Sequence, residues 1–301
     1  MNMKYTVIMP VKYDDLHLVE MNYRRIKKYV DSDRIVVVTN TTGIEHVNRI
    51  GSNVDIIDEN YMYNGLSFTA VKEEMLAAGL DPKLTGHCFQ QLLKMAFCFV
   101  NRTEGYLVWD ADTIPTRYVP FYNSLTRKYI FYMKGEYTRT YFNHLYKLLG
   151  IKKQVKKSFI SEHMYFINNI MAEIVTAIQN NNSITGKTWW QKVVRAMETG
   201  NGMSEYEIYG NYVISKYPGL YEMKDSLSLR YGRNVLGTNP SDEQLLWMSQ
   251  KFDAVSIENF DNETFLTNLS SSKWIRNNFD PEQYAKIVSF INRSINRIKK
   301  V

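Results

Sequence analysis

Two carboxylates, Asp110 and Asp112, close the segment Gly105-Tyr-Leu-Val-Trp-Asp-Ala-Asp112. Residues i and i+2 of an extended chain project to the same side. The pair can therefore offer oxygen to one hard divalent cation, Mn²⁺ or Mg²⁺, of the kind that bridges phosphate oxygens. Such an ion neutralises a diphosphate leaving group. Asp31-Ser-Asp33 has the same spacing but precedes the strand-like run Ile35–Thr39, and ligands of parallel α/β sheets bind beyond the carboxyl ends of the strands. Asp110 and Asp112 follow theirs. The competing reading is a turn in which both aspartates cap backbone groups.

Ser204-Glu-Tyr-Glu207 opens a helix-like segment. Ser204 and Glu207 have capping-box spacing, which gives Glu207 a structural duty. Glu205 has none and falls in the first helical turn. Arg230 and Arg233 are diphosphate partners by type, since a guanidinium binds such oxygens in pairs. Lys94 can reach a phosphate from its helix, against the blander reading of a solvated lysine. His163 and Trp189 are the acceptor-side candidates: a titratable ring in an extended segment, and a flat face for a sugar. Gly186-Lys-Thr188 is no phosphate loop, because Asn181 stands where the earlier glycine is required.

These groups need a frame. Tyr5–Met9, Ile35–Thr39 and Val54–Ile57 read as buried strands, with a helix over Leu16–Val30, and this β-α-β-β opening predicts a mostly parallel sheet. A helix over Gly86–Val100 carries the stripe Phe89, Leu92, Leu93, Ala96, Phe99 and Val100, with Gln90, Gln91 and Lys94 off it. Gly105–Trp109 follows as a central strand. Strands at Tyr129–Met133 and Phe159–Asn168, and helices near Asn169–Asn180 and Thr188–Thr199, complete a three-layer core. Asp280, Pro281 and Gln283 start a last helix whose stripe is Tyr284, Ile287, Val288, Ile291, Ile295 and Ile298. The expected division is a catalytic domain over 1–260, nucleotide-binding to about 120 and acceptor-binding from 121, then a basic amphipathic extension over 261–301.

The 301 residues carry a net charge of +6. Basic residues gather in Arg127–Lys157 and again in Lys273–Lys300, so an anionic partner is expected: phosphates, nucleic acid or a membrane surface. Cys88 and Cys98 lie too far apart along one helix for a disulfide. No apolar run is long enough for a signal peptide or a membrane span, which predicts a cytoplasmic protein, peripheral at most on the inner face of the membrane.

Trp109-Asp-Ala-Asp-Thr-Ile-Pro115, Gln90-Gln-Leu-Leu-Lys94, Ser161-Glu-His-Met164 and Ser204-Glu-Tyr-Glu-Ile-Tyr-Gly-Asn-Tyr212 occur together here. As a set, over roughly Tyr5 to Arg233, they resemble a bacterial family of GT-A-like glycosyltransferases linked to surface polysaccharides. The resemblance implies a Rossmann-like, mostly parallel sheet flanked by helices. It further implies transfer of a sugar from a nucleotide-sugar donor to a hydroxyl of a glycan or lipid-linked acceptor, with the metal at Asp110 and Asp112. Pro10, Val11 and Lys12 would then stand where base and ribose sit. Asn40, Gln91, Lys94, Trp109, Asp110, Arg230 and Arg233 complete the donor set, and His163 and Trp189 the acceptor set. Inverting members place an acid at a helix start as the base, which suggests Glu205, with Glu207 behind it. Many GT-A enzymes add a late histidine to the metal, and none follows His163 in this chain.

Three other readings compete. A nucleotidyltransferase would carry a glycine-rich loop after its first strand, where Pro10-Val-Lys-Tyr-Asp14 has no glycine. A nucleic-acid-binding protein would leave the Asp-x-Asp position unexplained, so no nucleic-acid partner is expected. A sugar-binding module would need neither carboxylate pair nor base.

Overall fold

A computed structural model of the chain describes residues 4–49, 54–198, 202–259, 261, 263 and 265–298, with side chains of the last helix to 294. In chain order the strands are β1 (Tyr5–Pro10), β2 (Ser32–Thr39), β3 (Asp55–Asp58), β4 (Gly105–Trp109), β5 (Thr113–Pro115), β6 (Tyr122–Asn123), β7 (Lys128–Met133), β8 (His163–Ile167), β9 (Tyr221–Asp225), β10 (Ser228–Leu229) and β11 (Ala254–Ser256). The helices are α1 (Leu16–Tyr29), α2 (Thr41–Val47), α3 (Phe68–Ala77), α4 (Thr85–Ala96), α5 (Arg139–Leu149), α6 (Asn168–Gln179), α7 (Trp189–Ala196), α8 (Glu205–Lys216), α9 (Gly232–Leu236), α10 (Asp242–Met248), α11 (Phe265–Leu269), α12 (Lys273–Asn278) and α13 (Pro281–Ile298). They form two compact units. The first comprises residues 1–16, 31–110 and 120–225, the second 17–30, 111–119 and 226–301.

The first unit is built on a five-stranded sheet of order β3-β2-β1-β4-β8, flanked by helices. β3, β2, β1 and β4 run parallel, and β8 closes the edge antiparallel to β4. Every residue of β1 and the run Ile35–Thr39 are buried, which is why these strands read as unbroken apolar runs rather than alternating ones. The expected β-α-β-β opening misses a helix: α2 lies between β2 and β3. Thr-Thr-Gly is a poor helix former, and here the start is fixed by the Asn40 side chain, which accepts from the Gly43 amide at 2.9 Å. Gly43 is required there, because a Cβ would collide with Thr39.

Two further expectations change. β7 does not join the central sheet; it sits in a three-stranded sheet of order β6-β7-β9. α4 has no solvated face at Gln91 and Lys94, since both side chains are buried.

The second unit holds the sheet β10-β11-β5 and its own core, in which Leu18, Ile114, Val235, Leu245, Trp247, Val255, Ile275, Tyr284 and Val288 pack together. The C-terminal helices belong to that core, so a cut at residue 260 does not isolate them. Asp280 caps α13 as expected, accepting from the Glu282 amide at 2.9 Å. The apolar stripe of α13 is narrower than its sequence suggests: Tyr284 and Val288 are buried, but Ile287 is 42% exposed. The expected contributions of Ile295, Arg297, Ile298, Lys299 and Lys300 lie outside the described side chains, and the helix end at Thr199 outside the described residues.

Candidate functional site

A cavity of about 700 Å³ opens in the first unit, lined by Pro10, Val11 and Lys12 beyond β1, Asn40 beyond β2, and Glu59 and Asn60 beyond β3. Its other wall is Phe68 and Thr69 at the start of α3, with Lys83 and the α4 residues Gly86, His87, Phe89, Gln90 and Leu93. Gln90 donates its amide to the Pro10 carbonyl at 3.2 Å. A parallel sheet leaves its ligands at the carboxyl ends of its strands, and three of those ends meet here. Adjacent strands lie ~4.8 Å apart, so the end of β3 and the end of β4, three strands over, are separated by about 14 Å.

At the end of β4 stands Asp110. Its Oδ1 receives the Lys94 ammonium at 2.5 Å and the Tyr206 hydroxyl at 3.2 Å. Lys94 Nζ also lies 2.7 Å from Glu205 Oε1 and 4.8 Å from the centre of the Tyr206 ring. Burial disfavours the charge on Lys94, but Asp110 and Glu205 together outweigh it and lift the ammonium above its ordinary range. Lys94 is therefore a buried cation holding two acids. Burial in turn pushes the Glu205 carboxyl up, with Lys94 opposing. Oriented to satisfy its neighbours, the Gln91 amide donates to the Met203 carbonyl and to Glu205 Oε2, and accepts from His87 Nε2. A hydrogen-bonded chain thus links His87, on the cavity wall, to Asp110.

The backbone beneath Asp110 is unusual. Glu162 adopts φ +64°, a left-handed conformation rare outside glycine and small polar residues. Its carbonyl accepts from the Asp110 amide at 2.9 Å, and its carboxylate is held by Lys134 at 2.5 and 2.7 Å. Strain of this kind persists only where surrounding contacts over-determine it. Here it fixes the turn out of β4.

Several expected site residues serve other purposes. Glu205 is a counter-ion to Lys94, with a side chain 2% exposed, and not a base open to an acceptor; the leaning to inversion, which rested on it, loses its support. Glu207 anchors backbone: its carboxylate accepts from Ser158 Oγ at 2.6 Å, the Phe159 amide at 3.1 Å and Asn211 at 2.9 Å. Of the expected capping box only the Ser204 half forms. Lys94 is neither solvated nor free for phosphate, and Gln91 is spent on its neighbours. Trp109 and His163 stack on each other at 4.8 Å inside the core, and Trp189 is buried, so none of the three faces a ligand. In the second unit, Arg230 pairs with Glu258 at 3.0 Å, and Arg233 with Glu263 at 3.5 Å.

The strand does not continue through the carboxylate pair: β4 ends at Trp109, and Ala111 and Asp112 lie in a turn. Lys94 and Tyr206 both occupy Oδ1 of Asp110, whose side chain is 23% exposed, so Oδ2 is the oxygen a ligand would meet. Asp112, half-buried in the second unit, accepts from the Thr113 hydroxyl at 3.3 Å. Among the described residues no three His, Cys, Asp or Glu side chains group to hold an ion. One or two carboxylates completed by substrate phosphates and water is nonetheless a usual donor set for Mg²⁺.

Reasoning from sequence missed Glu59, Asn60, Phe68, Thr69, Lys83 and His87. Glu59 and Asn60 carried a usable signal, lying with Asp58 in the polar run Asp58-Glu-Asn60 that follows the expected third strand. The others are brought in by the approach of α3 and α4, which no local spacing encodes.

Residues 2–272 match a family described as of unknown function, DUF6492. No curated protein matches the sequence. Among solved structures the chain is similar to the apo form of the WbbM bifunctional glycosyltransferase, at 12% identity and TM-score 0.46 over 96% of this chain and 52% of that one. It is also similar to apo mouse xyloside xylosyltransferase 1, at 9% identity and TM-score 0.46 over 86% and 98%, and to the PaToxG glycosyltransferase, at 13% identity and TM-score 0.38 over 72% and 70%. The chain spans about half the length of WbbM.

Proposed function

We propose that this chain, which belongs to the family of unknown function DUF6492, is a nucleotide-sugar-dependent glycosyltransferase of the GT-A type. The observation that carries the reading is one cavity across the carboxyl ends of β1, β2 and β3, with Asp110 fixed at the end of β4 in the same unit. The nucleoside would lie in the cavity and the diphosphate would run towards Asp110.

Each residue then has a task. Val11 and Phe68 offer apolar surface to the nucleoside, and Asn40 marks the end of β2 beneath it. Lys12 and Lys83 supply positive charge at the rim. Lys94, Glu205 and Tyr206 hold Asp110 in one position, which lowers the cost of ordering the donor when it binds. Asp110 and Asp112, two residues apart in the chain, are the proposed holders of Mn²⁺ or Mg²⁺. Such an ion would neutralise the diphosphate as the sugar bond breaks.

The acceptor, in this reading, is a hydroxyl of a glycan or of a lipid-linked glycan in surface polysaccharide synthesis. No helix among the described residues is long and apolar enough to cross a membrane. A lipid-linked acceptor would be met at an anionic inner surface by the second unit, whose α13 carries Lys286 and Arg293.

The test is release of nucleoside diphosphate from a panel of nucleotide sugars, with Mn²⁺ and with chelator. The reading predicts metal-dependent release from at least one donor, lost in Asp112→Ala while the fold is kept. Release that ignores chelator and survives that substitution would remove the metal from the account. No release from any donor, with or without added glycan acceptors, would remove the activity.

A further inference from the structure

The β3 end of the cavity differs from the rest. Lys12 and Lys83 bring positive charge to the lining, and the one acid in it, Glu59, follows β3; Phe68, whose amide donates to Asn60, lines the same cavity. Glu59 is half-buried, and among the described residues its carboxyl has no hydrogen-bond or ion-pair partner. Its neighbours are already committed. Asp58 accepts from the Thr41 hydroxyl at 3.0 Å and the Asn60 amide at 2.9 Å, and Asn60 accepts from the Phe68 amide at 3.0 Å. An unpaired acid at the wall of a ligand cavity is costly unless the ligand satisfies it.

We propose that Glu59 reads the nucleobase, accepting the ring N–H of an oxo base, uracil or guanine, and so excluding adenine and cytosine nucleotides. Uracil N3–H and guanine N1–H each lie next to a carbonyl, whereas adenine and cytosine present a bare ring nitrogen acceptor at that place. A carboxylate facing such a nitrogen sets acceptor against acceptor. Phe68, part-exposed in the cavity and T-shaped against Phe89 at 6.0 Å, is the ring on which the base would stack. The inference rests on the nucleotide reading of the same cavity and adds its specificity.

Burial, with the Asp58 charge beside it, pushes Glu59 up to about 7. The titratable groups near it are Asp58, which precedes it in the chain, and Lys12, Lys83 and His87, which line the same cavity. The ring N–H is best accepted by the ionised form, so preference for an oxo base should strengthen as pH rises through that value. Comparing two nucleotides at each pH cancels effects on the shared phosphates, including any from His87.

The experiment is calorimetric titration of the full chain with UDP, GDP, CDP and ADP in Mn²⁺, from about pH 6 to about pH 8. At least one of UDP and GDP should bind about 10- to 100-fold tighter than CDP and ADP, the worth of one hydrogen bond to a charged group. The ratio should grow with pH. Glu59→Ala should level the four. Glu59→Gln should weaken the preference and lose the pH dependence, because its amide can accept a ring N–H through the oxygen or donate to a bare ring nitrogen through the nitrogen. CDP or ADP binding as tightly as both oxo nucleotides overturns the proposal, as does a preference that survives in the alanine variant or a pH slope that survives in the glutamine one. Equal binding of all four overturns this inference and leaves the nucleotide cavity standing. Binding of none overturns both.

Discussion

Lys94 and Glu205 meet as a pair of opposite charges 2.7 Å apart, with side chains 4% and 2% exposed, and Asp110 is the third member of the group. Each charge is tolerated in the core because the other is present. Lys94→Met would leave Glu205 buried without its counter-charge, and Glu205→Gln would leave Lys94 with Asp110 alone. Breaking a buried pair from one side costs about 3–5 kcal/mol. Lys94→Met should lose stability of that order in urea unfolding. The double variant Lys94→Met, Glu205→Leu should lie closer to the parent than Lys94→Met alone. Strictly additive losses would mean that the two groups do not act as a pair.

Glu207 should matter for stability and not for chemistry. Its carboxylate terminates three hydrogen bonds that tie Ser158, Phe159 and Asn211 to the start of α8. Glu207→Gln reverses one acceptor into a donor inside the core. The expected cost is about 1–3 kcal/mol, read by denaturant midpoint, with nucleotide affinity unchanged below the transition. Parental stability combined with lost affinity would return Glu207 to the site.

His163 predicts an acid response. Burial, and then the charge of Lys134, push its imidazole from 6.5 down to about 3, and burial pushes His144 to about 4. Below about pH 6.5 the unfolded chain takes up protons that the folded one refuses, so stability falls as pH drops across that window. His163→Phe keeps an aromatic ring against Trp109 and removes one such group. Its unfolding midpoint should fall less than the parent's between pH 7 and about pH 4.5. An unchanged slope would show that His163 takes up its proton as readily in the folded chain as in the unfolded one.

The second unit offers a surface to test. On α13, Phe290 is 72% exposed and shares a face with Ile287, bordered by Lys286 and Arg293. If an anionic membrane presents the acceptor, the full chain should sediment with anionic vesicles more than with neutral ones. Phe290→Glu should weaken that binding, and raised salt should weaken it further through the basic residues. Equal, weak sedimentation with both lipids would contradict the membrane proposal and leave the catalytic one untouched.

The sequence made the frame of the first unit readable because its strands are buried on both faces. Tyr5–Met9 and Ile35–Thr39 could hardly be anything but central strands, and they fall within β1 and β2. The position of Asp110 followed from β4, and Pro10, Val11, Lys12 and Asn40 from the strand-end rule; the structure brings those four to one cavity. What failed were assignments that depended on which way a polar side chain turns. Lys94 and Gln91 look solvated on a helical wheel, yet they face acids supplied by β4 and α8, far away in the chain. Glu205 fails for the same reason: its place in the first helical turn was readable, and its partner was not. Ile287 lies outside the α13 stripe because the second unit closes over Tyr284, Ala285 and Val288, with Ile291 packed against them, and leaves Ile287 on the open side.

The most direct test of the nucleotide-sugar reading is a diffraction map from crystals soaked with UDP or GDP and Mn²⁺. The account predicts density for the base between Phe68 and Glu59, the ribose near Val11 and Asn40, and the diphosphate running towards Oδ2 of Asp110. A nucleotide bound away from this cavity, or a cavity left empty at saturating nucleotide, would contradict it.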